Sequence, residues 1–170
     1  MMTKSGVAAT LVVVTGIMIG AQTASATSIE KSCMAQKCAA GDKAITYATK
    51  QEPYFACPTR ELAEYTNFVI GLVATQKMLT GSFPNISPKT GEPEYVDQGG
   101  KPNETRLMLD QLRASARVST FDQGVAMCKT GANKTQVTIM NVPTDATVVW
   151  VNDDKKKVSF WMPRANLDKR

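Results

Sequence analysis

Gln136-Val-Thr-Ile-Met-Asn-Val142, Thr147-Val-Val-Trp-Val151 and Val158-Ser-Phe-Trp-Met162 decide the fold. Each run is short, apolar and rich in β-branched or aromatic residues, and each is bounded by turn chemistry. Pro143-Thr144-Asp145-Ala146 separates the first two, Asn152-Asp153-Asp154-Lys155 opens a polar turn before the third, and Pro163 stops it. A proline cannot donate to a strand ladder, so pairing ends there. The pattern predicts an antiparallel meander of at least three strands, with Thr147–Val151 central. The β reading extends upstream to Val118.

Upstream of the meander the period changes. Thr59 is a predicted N-cap, and Glu61 and Glu64 sit in the first turns, where the helix dipole favours anions. Leu62, Tyr65, Val69, Leu72 and Leu79 recur at spacings of three and four, with Phe68 and Val73 widening the stripe. Gly81 is the natural stop. Gly71, inside this helix, is read as a site of close helix contact. Asn103 caps a second helix over 104–116, with Leu107, Met108, Leu109 and Leu112 on its apolar side and Arg106–Asp110 as a surface pair. Between the helices, residues 81–103 hold too many prolines and glycines for regular structure, so a long loop is expected there. Its Phe83, Ile86, Tyr95 and Val96 argue for partial packing.

Residues 43–57 read as a hairpin. Ile45 and Tyr47 share one side, Lys50-Gln51-Glu52-Pro53 is the turn, and Tyr54–Cys57 is the return. Residues 27–42 are small and polar around Cys33 and Cys38. The fold class is therefore α+β. Two helices and a disulfide-tied N-terminal hairpin accompany a C-terminal meander or small barrel. The expected divisions are 1–26, 27–116 and a β-rich 117–170.

Residues 1–26 carry the marks of a signal peptide. Lys4 gives a positive start, Val7–Ile19 is apolar, and Ala24-Ser25-Ala26 is an Ala-x-Ala exit. The apolar run falls short of the ~20 residues that span a bilayer. Cleavage after Ala26 and a periplasmic or secreted location follow, with no membrane-spanning segment in the mature chain. In such a compartment Cys33, Cys38, Cys57 and Cys128 read as two disulfides. Three pairings are open. If Cys33 and Cys38 bridge locally, the other pair closes a loop of about 70 residues, worth ~4 kcal/mol in the chain-entropy model.

The chain contains no histidine. This removes the Ser-His-Asp and Cys-His catalytic devices and every His-containing zinc site. No metal and no cofactor are expected. The net charge of +5 reads as solubility, or as attraction to anionic envelope polymers and lipid head groups. With export expected, nucleic acid is not a partner. Glu61 and Glu64 are the one carboxylate pair that invites a hydrolase reading; helix N-terminal charge is the preferred explanation of both. Asn85, Asn103 and Asn133 begin N-x-Ser/Thr sequons, which matter only in a eukaryotic secretory pathway.

Residues 134–167 resemble the latter part of an SH3-like barrel, including the exported bacterial type. The resemblance lies in Val137-Thr138-Ile139, Val149-Trp150-Val151, a polar turn, and Phe160-Trp161-Met162-Pro163 ending at Leu167. The turn Asp154-Lys155-Lys156-Lys157 lacks the usual glycine, and Asn166 stands where eukaryotic members carry a ligand-stacking tyrosine. Proline-rich peptide binding therefore does not carry over. The resemblance implies a small β-barrel used for binding. A second, internal similarity matches Phe55, Pro58 and Leu62 to Phe160, Pro163 and Leu167, each set preceded by a Cys-x-x-Gly.

Candidate binding residues follow from these elements. Trp150 and Trp161 face each other across the last hairpin, either as a stacking platform or as core. Lys155, Lys156 and Lys157 lie beside them. Phe83 and Tyr95 are the aromatic residues of the long loop. The expected function is a non-enzymatic periplasmic protein that binds an envelope protein or glycan. The alternative is an inhibitor or immunity-type protein whose 81–103 loop plugs a secreted enzyme. A His-free hydrolase using Glu61 or another carboxylate is the third class.

Overall fold

In the computed structural model the structure describes residues 29–50, 52–95 and 100–170. The Ala24–Ala26 exit and Val96 lie outside the described residues. Strands β1 (Lys43–Thr46), β4 (Gln136–Asn141), β5 (Val148–Asp153), β6 (Ser159–Pro163) and β7 (Leu167–Lys169) form a five-stranded sheet in the order β6-β5-β4-β1-β7. Every pairing in it is antiparallel. Strands β2 (Phe55–Ala56) and β3 (Lys129–Thr130) make a separate two-stranded ribbon. Helices α1 (Arg60–Thr80), α2 (Glu104–Ser115) and α3 (Phe121–Ala126) sit between β2 and β3 in the chain. The architecture is α+β.

The meander of the last three long strands forms as its sequence dictates. Val137 and Ile139 of β4, Val149 and Val151 of β5, Met162 of β6 and Leu167 of β7 alternate inward and are fully buried in one apolar cluster. Tyr54, Ala44 and Cys33 complete that cluster. A bulge between Ile139 and Asn141 shifts the β4–β5 register and sets Asn141 opposite Trp150.

The 43–57 hairpin does not form. Both edges of β1 are taken by strands from the far end of the chain, Lys43–Ile45 by β4 and Ala44–Thr46 by β7. Its buried residues are Ala44 and Thr46, not Ile45 and Tyr47. Strand β2 pairs instead with β3, so the N-terminal stretch contributes one strand to each sheet. Residues on both sides of position 116 thus share the main sheet.

The helices follow their local signals. Thr59 Oγ1 accepts from Leu62 N at 3.3 Å, and Gly81 closes α1 at φ 74° with its N–H on Lys77 O. Asn103 Oδ1 accepts from Arg106 N at 3.0 Å at the start of α2. Leu62, Tyr65 and Val69 of α1 form a second apolar cluster with Leu109 of α2, Val118 and Val148. That cluster packs on the opposite face of the sheet, where α1 lies against β5 and β6. Two expectations fail here. Helix α3 stands where the β pattern was read; a six-residue helix containing Gly124 carries too little periodicity to register. Gly71 makes no close contact, since a Cβ there would meet nothing within 4 Å.

The disulfides are Cys33–Cys38 and Cys57–Cys128. The first pins the turn before β1. The second joins the ends of β2 and α3 across the ribbon. Cys57 also exchanges two backbone hydrogen bonds with Trp161, 3.0 and 2.8 Å long, which attach the ribbon to the edge strand β6. The two internally similar segments therefore touch one another rather than repeat. Leu62 lies in a helix and Leu167 in a strand.

Candidate functional site

Trp150 and Trp161 are direct partners in the β5–β6 register. Their ring centroids lie 5.4 Å apart at an interplanar angle of 44°. Both are half-buried. Trp161 packs against the helical cluster, so this pair is part wall and part surface. The edge-strand position of β6 and the Cys57 bridge fix Trp161 from both sides.

Lys155, Lys156 and Lys157 are exposed at the tip of the same hairpin. They are not beside the indoles: the pairs Val151–Phe160 and Asn152–Ser159 intervene. The tip is built by Asp153, buried at 3 % exposure, whose Oδ1 accepts from Lys155 N and Lys156 N at 2.9 and 2.8 Å. Lys157 adopts φ 58°, the left-handed conformation that a glycine would take more easily. The turn works without that glycine because Asp153 carries its amides.

The 81–103 loop is anchored by a residue that sequence reasoning missed. Glu92 is 0 % exposed. Its Oε1 accepts from the Tyr65 hydroxyl at 2.8 Å, and its Oε2 meets Arg106 Nη2 at 3.1 Å and Arg113 Nη1. Both guanidiniums also bind Asp110, with Arg106 Nη2 2.5 Å from Oδ1 and Arg113 Nη2 2.6 Å from it. Arg106–Asp110, expected as a surface pair, is thus part of a half-buried network that ties the loop to α1 and α2. The Arg106 bonds are the main reason that Asp110 ionises below the usual carboxylate range. Burial, and then the bond to Glu92, push the Tyr65 phenol well above its ordinary value. The signal for this network was the spacing of Arg106, Asp110 and Arg113, which puts all three on one helix face.

The loop's two aromatic candidates separate. Tyr95 is half-buried against the helical cluster and lines a cleft of about 410 Å³ with Lys89, Thr90, Pro102, Arg106 and Arg113. Phe83 is exposed, with Lys77 Nζ 4.5 Å from its ring centroid. The candidate residues therefore occupy distinct places: the indole pair, the lysine tip, the Tyr95 cleft and the end of α1.

Glu61 is exposed in the first turn of α1. Glu64 Oε1 accepts from Arg60 Nε at 2.8 Å, and the same guanidinium reaches Asp145 at 3.0 Å. Among the described residues no group of three or more His, Cys, Asp or Glu is placed to hold a metal ion. None of their helices is long and apolar enough to cross a membrane. Two of the sequon asparagines have work inside the fold: Asn103 caps α2, and Asn133 Oδ1 accepts from Ala48 N at 3.2 Å. No family model, curated protein or solved structure matches this chain.

Proposed function

We propose that this is an exported, disulfide-stapled binding protein of the cell envelope, without a catalytic role, that engages an envelope protein or glycan. The observation that carries the reading is the Trp150–Trp161 pair. Two indoles are held at fixed spacing by strand register, by the Cys57 bridge to β6 and by the helical cluster behind Trp161. Rigid, amphipathic rings lose little conformational freedom on binding, and tryptophan is enriched among residues that dominate interface energies. The two disulfides support export, since such bonds persist in oxidising compartments. The SH3-like barrel remains part of this proposal. Both edge strands of the five-stranded sheet, β6 and β7, give side chains to one apolar cluster, which supports a curled sheet.

The test is binding of the purified protein to insoluble peptidoglycan and to solubilised envelope protein, with Trp150→Ala as the comparison. Loss of at least about tenfold in affinity is expected. Undiminished binding by Trp150→Ala would remove the indole pair from the site. A second reading has its own support. The Glu92 network stiffens the loop behind Phe83, as an enzyme-plugging inhibitor requires. Inhibition of a co-purifying envelope enzyme, lost on Phe83→Ala, would favour it.

A further inference from the structure

Two connections bring lysines to the walls of one cleft. The turn that enters β4 supplies Lys134, Thr135 and Gln136, the β5–β6 tip supplies residues 153–156, and a cleft of about 520 Å³ lies between them. Backbone bonds fix both walls. Lys134 N donates to Thr46 O at 2.8 Å, Thr135 N to Thr46 Oγ1 at 3.0 Å, and Asp154 N to Gln136 O at 3.0 Å. From Gln123 to Thr144 and from Lys155 to Leu167 the chain has no carboxylate. Among the described residues the acids that line the cleft are Asp153 and Asp154, and both are occupied. Asp153 Oδ1 accepts from the Lys155 and Lys156 amides. Asp154 Oδ2 meets Lys43 Nζ at 3.0 Å, and its Oδ1 accepts from Thr138 Oγ1 at 2.5 Å. Among the described residues nothing engages the ammonium groups of Lys134, Lys155 and Lys156, and all three side chains are exposed.

We propose that this cleft binds a polymer strand bearing repeated phosphate groups, held by Lys134, Lys155 and Lys156. The site shares no residue with the indole pair and does not rest on that reading. Charge complementarity is the first argument: the cations are free and the acids among them are already paired. The kind of cation is the second. Lysine binds phosphate as a point charge, whereas bidentate recognition of a planar carboxylate favours arginine, which does not line this cleft. Among the described residues no aromatic or aliphatic side chain lines it either, so the ligand is recognised by charge and not by stacking. The shape is the third. Lysines on two opposed walls suit a strand laid between them, and the volume lies within the range of roughly 300–1,000 Å³ for ligand sites. The backbone agrees. Lys134 and Lys157 hold φ 57° and 58°, which a glycine would take more easily, and each carries a cation instead. Outliers of this kind concentrate at binding sites.

The experiment is titration of the protein, as recovered from its host, with long-chain inorganic polyphosphate as the probe, at low and raised salt. Binding is expected at low salt and should weaken as salt is raised. Lys134→Gln with Lys155→Gln and Lys156→Gln should lower the affinity at least about tenfold and shallow the slope of log affinity against log salt by about two. The melting temperature should not move, because the three side chains are exposed and the tip amides still reach Asp153. A charge-matched control, Lys31→Gln with Lys37→Gln and Lys77→Gln, should lose much less. Equal losses in the two triple variants would overturn the proposal, since net charge alone would then account for binding. So would orthophosphate binding as tightly as the polymer, which would mean a single-ion site. Vesicles containing phosphatidylglycerol distinguish the source of the phosphate: lysine-dependent binding to them, without binding to polyphosphate, would assign the cleft to lipid head groups and overturn the strand.

Discussion

The ring of Tyr54 lies directly on Gly131. A Cβ at position 131 would stand 2.2 Å from Tyr54 Cζ and 2.3 Å from Cε2. The contact is framed by Gly131 N donating to Tyr54 O at 2.8 Å and the Tyr54 hydroxyl donating to Ala132 O at 3.1 Å. Tyr54 is 1 % exposed and belongs to the main-sheet cluster. Glycine is required here for approach, and no other side chain fits. Gly131→Ala should therefore destabilise the protein by about 2–3 kcal/mol, as overpacking of a filled core does. Urea unfolding would measure it; a loss under 0.5 kcal/mol, within ordinary surface-substitution scatter, would mean that the ring moves aside freely.

Gly71 is the opposite case. It lies inside α1, exposed, with open space where a Cβ would go. Gly71→Ala should raise stability by about 0.5–1 kcal/mol through helix propensity and a less flexible unfolded chain. Thermal melts of the two proteins side by side would show an upward shift.

Glu92→Ala removes the shared partner of Tyr65, Arg106 and Arg113. Truncating one member of a buried charge network costs about 3 kcal/mol or more, because the remaining charges lose their partner. The loop should also detach. Limited trypsin digestion is expected to cut after Lys89 much faster in the variant, and equal cutting would show that the loop is held by something else.

Alkaline pH should act through the same residue set. The Tyr65 hydroxyl is held above its ordinary value by burial, then by its bond to Glu92, and burial likewise raises Tyr54 and Tyr95. A phenol whose folded pKa exceeds its unfolded one stabilises the fold fully below the unfolded value. That value is about 10. The stabilisation is lost as pH rises from there toward the folded pKa. Melting temperature should fall above about pH 10, and Tyr65→Phe should shallow that fall while Tyr54 and Tyr95 preserve part of it.

The two disulfides should differ in weight. In the chain-entropy model the Cys57–Cys128 bridge, with a separation of 71 residues, contributes about 4 kcal/mol, and Cys33–Cys38, with a separation of 5, about 2 kcal/mol. Paired serine substitutions compared by denaturant midpoint would rank them; a larger loss from the short loop would contradict the ranking.

What could be read from the sequence was what is encoded locally. Thr59, Gly81 and Asn103 mark helix ends through bonds to residues three or four positions away; α1 begins and ends, and α2 begins, where those signals put them. The β5–β6 partnership spans a short polar turn, so the indole pair was legible too. Strand β1 was not, because Lys43–Thr46 contains nothing to say that its neighbours are Gln136–Thr138 and Leu167–Lys169. A short turn was the nearest available partner, and it was the wrong one. Glu92 escaped for a different reason. A glutamate between Gly91 and Pro93 reads as solvated loop until partners from two helices surround it.

The position of β1 between β4 and β7 has a consequence for how the chain is made. Residues 43–46 are synthesised early, yet one neighbour strand ends at Lys169. Helices α1 and α2 and the Cys33–Cys38 clasp need only nearby sequence, whereas the sheet must await residues more than 120 positions further on, Leu167–Lys169. Such long-range closure is slow. A nascent chain of this design cannot close its main sheet until β7 has been made.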